Sequence, residues 1–105
     1  MTTRTLQVLL ALAERPLHGY GIRQGVADRT DGAVRLGSGT LYEVIHRLLD
    51  GGQIVEVPGP ADEPSSGGPR RRFYALTDPG RTALRAELAR MDAVVRYARG
   101  IELLG

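Results

Sequence analysis

The chain has 105 residues, a hydrophobic content of 42%, a charged content of 25% and no cysteine, which predicts one globular domain with at most an appended element. The absence of cysteine excludes disulfides, thiolate metal sites and cysteine nucleophiles, and a core this small makes dimerisation a reasonable expectation. The net charge is only +2, but all 14 basic residues are arginine. GC-rich codon usage accounts for such a bias, and so does a need for bidentate pairing with phosphate or guanine.

The first third of the sequence predicts two helices. In "RTLQVLLALAERP", apolar residues recur at helical spacing along one face before a proline ends the helix: Leu6, Leu9, Leu10 and Ala13. A second helix is predicted within "LHGYGIRQGVADRTDG", ending at Asp31-Gly32. The N-terminal apolar run is short, is flanked by charges and lacks a small-residue cleavage site. We therefore expect neither a signal peptide nor a membrane span, and a cytoplasmic location.

A third helix is predicted in "GSGTLYEVIHRLLDGGQI". Either Gly37 or Ser38 can occupy its N-cap. The buried stripe follows the spacing i, i+3, i+4, i+7, i+8 and consists of Leu41, Val44, Ile45, Leu48 and Leu49. Gly51-Gly52 supplies the left-handed residue that ends such a helix.

After the third helix the pattern changes to that of short strands. "QIVEV" and "RRRFYAL" are β-branched or aromatic runs on either side of "PGPADEPSSGGP". This arrangement predicts a β-hairpin with a long, mobile polar tip. The tip carries an acidic pair, Asp62-Glu63.

The last predicted helix lies in "TDPGRTALRAELARMDAVVRYARG", with Thr77 as its cap and Pro79 in its first turn. Apolar residues recur at alternating spacings of four and three, the pattern of a helix packed against another helix: Leu84, Leu88, Met91 and Val95. This face could pack on its own domain. However, the first and third helices already supply enough apolar residues for a three-helix core, so we predict that the face pairs with a second subunit.

The order of elements is helix, helix, helix, hairpin, long helix. It predicts a mainly α fold with a small β-hairpin, a winged helix-turn-helix followed by a C-terminal dimerisation helix. Residues 1–77 would form the DNA-binding domain, with the wing at 53–76. Residues 78–105 would form the dimerisation helix.

Three stretches, "LHGYGI", "GTLYEVIHRL" and "RRRFYALTDPGR", occur in an order and at a spacing that resembles the PadR family of transcriptional regulators. The resemblance covers essentially the whole chain, and its short C-terminal helix is similar to that of the smaller PadR subfamily. It implies a homodimeric repressor held together by the C-terminal helices. It also implies a small apolar or aromatic effector in the cleft between the first and last helices, where Leu9, Met91 and Val95 are the candidate wall residues.

Within this helix order, polar side chains on the second and third helices and on the wing are candidate contacts to double-stranded DNA. They are Tyr20, Ser38, Thr40, Tyr42, Glu43, His46, Arg47, Arg70 and Arg72. Arg47 suits guanine or phosphate, Glu43 suits a cytosine amino group, and Arg70 and Arg72 would share one face of a strand. The alternative for the helical set is a solvated surface, for Tyr20 a half-buried core aromatic, and for the wing arginines a charged sheet edge.

The sequence predicts no enzyme and no cofactor. Gly19, Gly21 and Gly25 imitate a dinucleotide-binding fingerprint, but a helix and a proline precede them where a strand is required. His18 and His46 are too few and too poorly spaced for a metal site.

Because a homodimer has two-fold symmetry, the expected assembly is a homodimer bound to a pseudo-palindromic operator. Two other classes stay open: a DNA-coating protein without sequence preference, and a winged-helix module that binds proteins.

Overall fold

The computed structural model describes residues 1–60 and 71–105. The predicted acidic pair at the hairpin tip and Arg70 lie outside the described residues. Within those two ranges the elements are α1 (Thr3–Glu14), β1 (Leu17–His18), α2 (Gly19–Arg29), α3 (Ser38–Asp50), β2 (Ile54–Val57), β3 (Phe73–Leu76) and α4 (Asp78–Gly100). None of the helices in this part of the chain combines the length and the apolar character needed to cross a membrane.

Helix α1 lies at the centre of the core, because α2, α3, α4 and β3 all contact it. Its buried side chains are Leu6, Val8, Leu9, Ala11 and Leu12. Because α1 is buried on more than one side, Val8 and Leu12 are buried although they lie outside the single predicted stripe. Leu10 and Ala13 were predicted for that stripe and are only half-buried at the edge of the core.

Helix α3 confirms the predicted stripe for four of its five members, Leu41, Val44, Ile45 and Leu48, whereas Leu49 is half-buried. Its N-cap is Gly37, which makes no side-chain cap hydrogen bond. After the helix, Gly52 adopts a φ of +71°, the left-handed conformation that glycine tolerates without a steric penalty. The second glycine of the predicted stop therefore turns the chain towards β2.

The sheet is antiparallel, with the strand order β1-β3-β2. The hairpin pairs Ile54 with Leu76 at one end and Val57 with Phe73 at the other. Strand β1 was not predicted. It has two residues and exists only through its pairing with β3, where His18 lies opposite Phe73.

Helix α4 begins as predicted, with Thr77 as its N-cap and Pro79 in its first turn. Leu84 is buried in the core of its own chain, so it is unavailable to the predicted intersubunit seam. Further along, Leu88 and Met91 are 37% and 44% exposed. The chain is elongated, with principal extents of 58 × 28 × 25 Å.

Candidate nucleic-acid interface

The first residues of α2 and α3 and the residues just before β3 surround an open cleft of about 440 Å³. It is lined by His18, Gly19, Tyr20, Arg23, Ser38, Leu41, Tyr42, Ile45, Arg71, Arg72 and Tyr74. These lining residues include three arginines, and none of them is acidic. A concentration of one sign of charge in a recess favours a ligand of the opposite sign. We refer to this recess as the wing cleft.

A second recess of about 500 Å³ lies between the start of α1, the α2–α3 link and α3. Its lining residues are Thr2, Thr3, Arg4, Ala33, Val34, Arg35, Thr40, Glu43, Val44 and Arg47. Three arginines face a single carboxylate here, so this recess is also basic. We refer to it as the link groove.

The predicted DNA contacts divide between these two recesses. Four of them line the wing cleft, namely Tyr20, Ser38, Tyr42 and Arg72. Three of them line the link groove, namely Thr40, Glu43 and Arg47. His46 is exposed on the same helix, with its ring centroid 6.5 Å from that of Tyr42. Helix α3 therefore presents its outward face between two basic recesses.

Five basic residues of the recesses were not among the predicted contacts: Arg4, His18, Arg23, Arg35 and Arg71. Arg23 is held in place because its Nε donates to the carbonyl oxygen of Leu36 at 2.9 Å. Since Arg70 and Arg72 were predicted to share one face of a strand, Arg71 between them would have faced the opposite side. Strand β3, however, begins only at Phe73, so the alternation does not apply to these two arginines.

Chemically, both recesses are suited to binding anions. Guanidinium groups donate planar pairs of hydrogen bonds to phosphate oxygens, and tyrosine and serine hydroxyls add further donors. In residues 1–60 and 71–105, no three histidine, aspartate or glutamate side chains come together in a way that could hold a metal ion.

Tyr74 lines the wing cleft and is 5% exposed. Burial raises the pKa of its hydroxyl above the ordinary value of 10.0; the Glu56 carboxylate adds to the increase and the Arg72 guanidinium opposes it. The neutral form is thus favoured in the folded chain. The associated stability is present below pH 10 and is lost as pH rises through the folded-state pKa.

We expect the absorbance titration of tyrosine to contain a late step above the ordinary value, and Tyr74→Phe to remove that step. The titration is followed at the phenolate band on the folded chain, with circular dichroism at each pH to show that the fold persists. A parent chain without the late step would show that Tyr74 is solvated, and a Tyr74→Phe chain that retains it would assign the step to another tyrosine.

The fold and the two recesses together define a class of protein. A three-helix core in which α3 follows α2 through a short link, combined with a β2–β3 hairpin, is a winged helix-turn-helix, here extended by the long helix α4. The family model of the "Transcriptional regulator PadR-like family" matches residues 8–86. The chain belongs to the PadR-like family of transcriptional regulators.

Two relatives are similar in sequence. An uncharacterized protein of Lysinibacillus sphaericus is 32% identical over 89 residues, which are 85% of this chain and 77% of that protein. A protein in transposon TN4556 of Streptomyces fradiae is 40% identical over 80 residues, which are 76% of this chain. The match spans only 20% of the length of the transposon protein.

Solved structures share the fold. A PadR family transcription regulator from Clostridium difficile superimposes with a TM-score of 0.73 at 23% identity, and the match covers 92% of this chain and 95% of that one. Bacillus subtilis PadR in complex with operator DNA gives a TM-score of 0.69 at 21% identity. That match covers 83% of this chain and 47% of the Bacillus chain.

Proposed function

We propose that this chain is a sequence-specific, double-stranded-DNA-binding regulator that acts as a homodimeric repressor. The observation that carries the proposal is the position of the exposed face of α3 between two basic recesses. A helix that enters the major groove has a phosphate backbone on each side of it. The wing cleft and the link groove are basic recesses lined by the two sides of α3, and they would suit those two backbones.

Direct recognition of bases is assigned to the outward residues of α3. Tyr42 is 58% exposed and Arg47 is exposed one turn and a half further along the helix. A guanidinium can pair with O6 and N7 of guanine, and the carboxylate of Glu43 can accept from the amino group of cytosine. Ser38 begins the helix and can contact the backbone at the groove edge.

The proposed homodimer uses the exposed part of α4. On the predicted face of this helix Leu88 and Met91 are exposed and Val95 is half-buried, and such a band is expected to be covered by a second copy. Two-fold symmetry then requires a pseudo-palindromic operator with half-sites about 34–36 Å apart.

Release by a small apolar or aromatic effector belongs to the same proposal. Met91 is exposed and Val95 is half-buried, so both are accessible from solvent. Leu9 is fully buried in the core, so it could contact an effector only if α1 and α4 moved apart. An effector bound between α1 and α4 would change the angle between the two DNA-binding domains of the dimer.

The decisive experiment measures the affinity of the chain for two duplexes of equal length by fluorescence anisotropy at physiological salt. One duplex is the DNA just upstream of the gene that encodes the chain, and the other is a scrambled sequence. The proposal expects at least roughly 10³-fold tighter binding to the upstream sequence, the lower edge for specific DNA-binding proteins. Equal binding to both would instead indicate a DNA-coating protein. Binding to neither would favour a module that contacts other proteins.

Tyr42→Ala and Arg47→Ala are each expected to reduce binding to the upstream duplex by roughly 10-fold to 100-fold, because each base contact contributes about 1–3 kcal/mol of discrimination. Binding to the scrambled duplex should change much less. Arg96→Ala, which changes an exposed arginine on the distal half of α4, is the matched control and should bind like the parent. If both α3 variants also bind like the parent, α3 does not recognise the operator.

A further inference from the structure

The side chain of His18 lies between two groups that both need a hydrogen-bond acceptor. Its Nδ1 accepts from the backbone N–H of Gly21 at 2.9 Å, and its Nε2 is 3.0 Å from Nη1 of Arg71. A guanidinium nitrogen only donates, and a neutral imidazole has one acceptor nitrogen and one N–H. The trio thus has three N–H donors and one acceptor nitrogen, so in either tautomer two of its N–H groups have no acceptor within the trio.

When the proton is on Nε2, Nδ1 is free to accept from the backbone N–H of Gly21, so this tautomer preserves the hydrogen bond that caps α2. In that tautomer two donors, Nε2–H of His18 and Nη1–H of Arg71, approach each other at 3.0 Å. An anionic oxygen at the apex of a triangle on these two nitrogens, about 2.8 Å from each, accepts from both. Such an oxygen would satisfy both donors at once.

The imidazole is held rigidly in this position. Its ring packs edge-on against Phe73, with centroids 5.1 Å apart, and the backbone of His18 is paired with Phe73 in the sheet. The cap bond to Gly21 fixes the ring on a third side. A donor that is positioned before a ligand arrives loses little conformational freedom on binding.

The surroundings also favour an anion. His18 and Arg71 both line the wing cleft, together with Arg23 and the hydroxyl-bearing tyrosines. A carboxylate that does approach the cleft, Glu56 on β2, lies 3.9 Å from Nε of Arg72. It therefore opposes the charge of Arg72 and leaves the His18–Arg71 pair to an external acceptor.

We infer that the His18–Arg71 pair is a binding site for one phosphodiester group of the DNA backbone. The inference rests on the DNA binding proposed above and assigns to that interface a phosphate contact at the base of the wing. The phosphate would contact the N-cap residue of α2 and the segment just before β3 at once, and so would fix the angle of the wing against the helix-turn-helix. The contact carries no sequence information, because every nucleotide has the same phosphate.

The test uses His18→Asn and Arg71→Gln, with Arg96→Gln on α4 as the control that removes one charge elsewhere. Asparagine is a good N-cap residue, so His18→Asn can retain the bond to Gly21 while it loses the Nε2 donor. Affinity for the upstream duplex and for the scrambled duplex is measured by anisotropy over a series of salt concentrations. Circular dichroism and sedimentation show whether fold and assembly are unchanged.

We expect His18→Asn to weaken binding about tenfold and by the same factor on both duplexes, with no change in salt dependence because no formal charge is removed. Arg71→Gln should reduce the slope of log K against log salt by about 0.9. Arg96→Gln should change neither quantity. The double variant should lose less than the product of the two single losses, since both side chains bind one phosphate.

Other results would overturn the inference in distinguishable ways. A His18→Asn chain that binds like a DNA-binding parent removes the phosphate site and leaves the proposed function intact. A loss confined to the upstream duplex would indicate a base contact. A parent chain that binds neither duplex removes both proposals.

A second measurement covers the case in which His18→Asn fails to fold. Imidazole nitrogen spectra of the parent chain should show the Nε2–H form and should shift at His18 when the scrambled duplex is added. Inorganic phosphate alone is the comparison. A shift with inorganic phosphate and none with DNA would assign the pair to a small anion and would contradict the inference.

Discussion

Replacement of Gly80 by alanine is expected to lower the free energy of unfolding by about 3 kcal/mol or more, at the upper end of the cost of overpacking a core. A methyl group at this position would overlap the carbonyl oxygen of Gln53 and would lie 2.9 Å from Cδ1 of Leu76. Gln53 cannot move away cheaply, because its carbonyl oxygen accepts from the N–H of Thr77 at 3.1 Å. Thr77 Oγ1 also donates to the carbonyl oxygen of Gly52 at 2.6 Å.

Urea denaturation of the parent and of Gly80→Ala measures the difference. Gly100→Ala is the matched control, because Gly100 ends the same helix and a methyl group there meets nothing within 4 Å. Alanine is favoured over glycine in helices by roughly 0.5–1 kcal/mol, so the control should be neutral or slightly stabilised. Equal stability of Gly80→Ala and the parent would mean that α4 does not pack against the turn after α3.

A charged residue at Met91 is expected to dissociate the proposed homodimer and to weaken binding to the operator by about 10²–10⁴-fold. The reason is that a dimer binds two half-sites at once. Once one subunit is bound, the second is held at a high effective concentration, and the affinity exceeds that of a single subunit by this factor. Met91→Glu places a carboxylate in the middle of the apolar band of α4, where burial against a second copy would leave the charge unpaired. Because Met91 is 44% exposed in the single chain, the fold of each subunit should survive.

Sedimentation equilibrium and anisotropy on the upstream duplex measure the two effects together. Ala93→Glu introduces the same charge at an exposed position about 200° further round the helix, away from the band, and should leave both mass and affinity unchanged. If Met91→Glu sediments with the same mass as the parent, the subunits associate through another surface. If the parent itself sediments as a monomer, the proposed dimer is wrong.

Features that depend on neighbours within about one helical turn were predicted well from the sequence. The order of the helices, four of the five residues of the buried stripe of α3, the cap at Thr77 and the left-handed stop at Gly52 are confirmed. Each follows from spacing at 3.6 residues per turn, or from the local hydrogen-bond needs of a helix end. The outward residues of α3 could be named for the same reason, since the buried stripe leaves only one free face.

The features that the sequence did not predict depend on contacts between residues that are far apart in the chain. Leu84 continues the apolar spacing of α4 without interruption, and only the packing of α4 on α1 separates it from the exposed band. Strand β1 is too short to have a periodicity and is defined by β3. His18 and Arg71 are 53 residues apart in the chain, and no local pattern relates them. Sequence by itself therefore determined the helices, the hairpin and most of the buried stripe of α3, because those arise from local geometry. The tertiary structure alone decided which basic groups share a recess, because that requires the sheet to bring the start of α2 against the base of the wing.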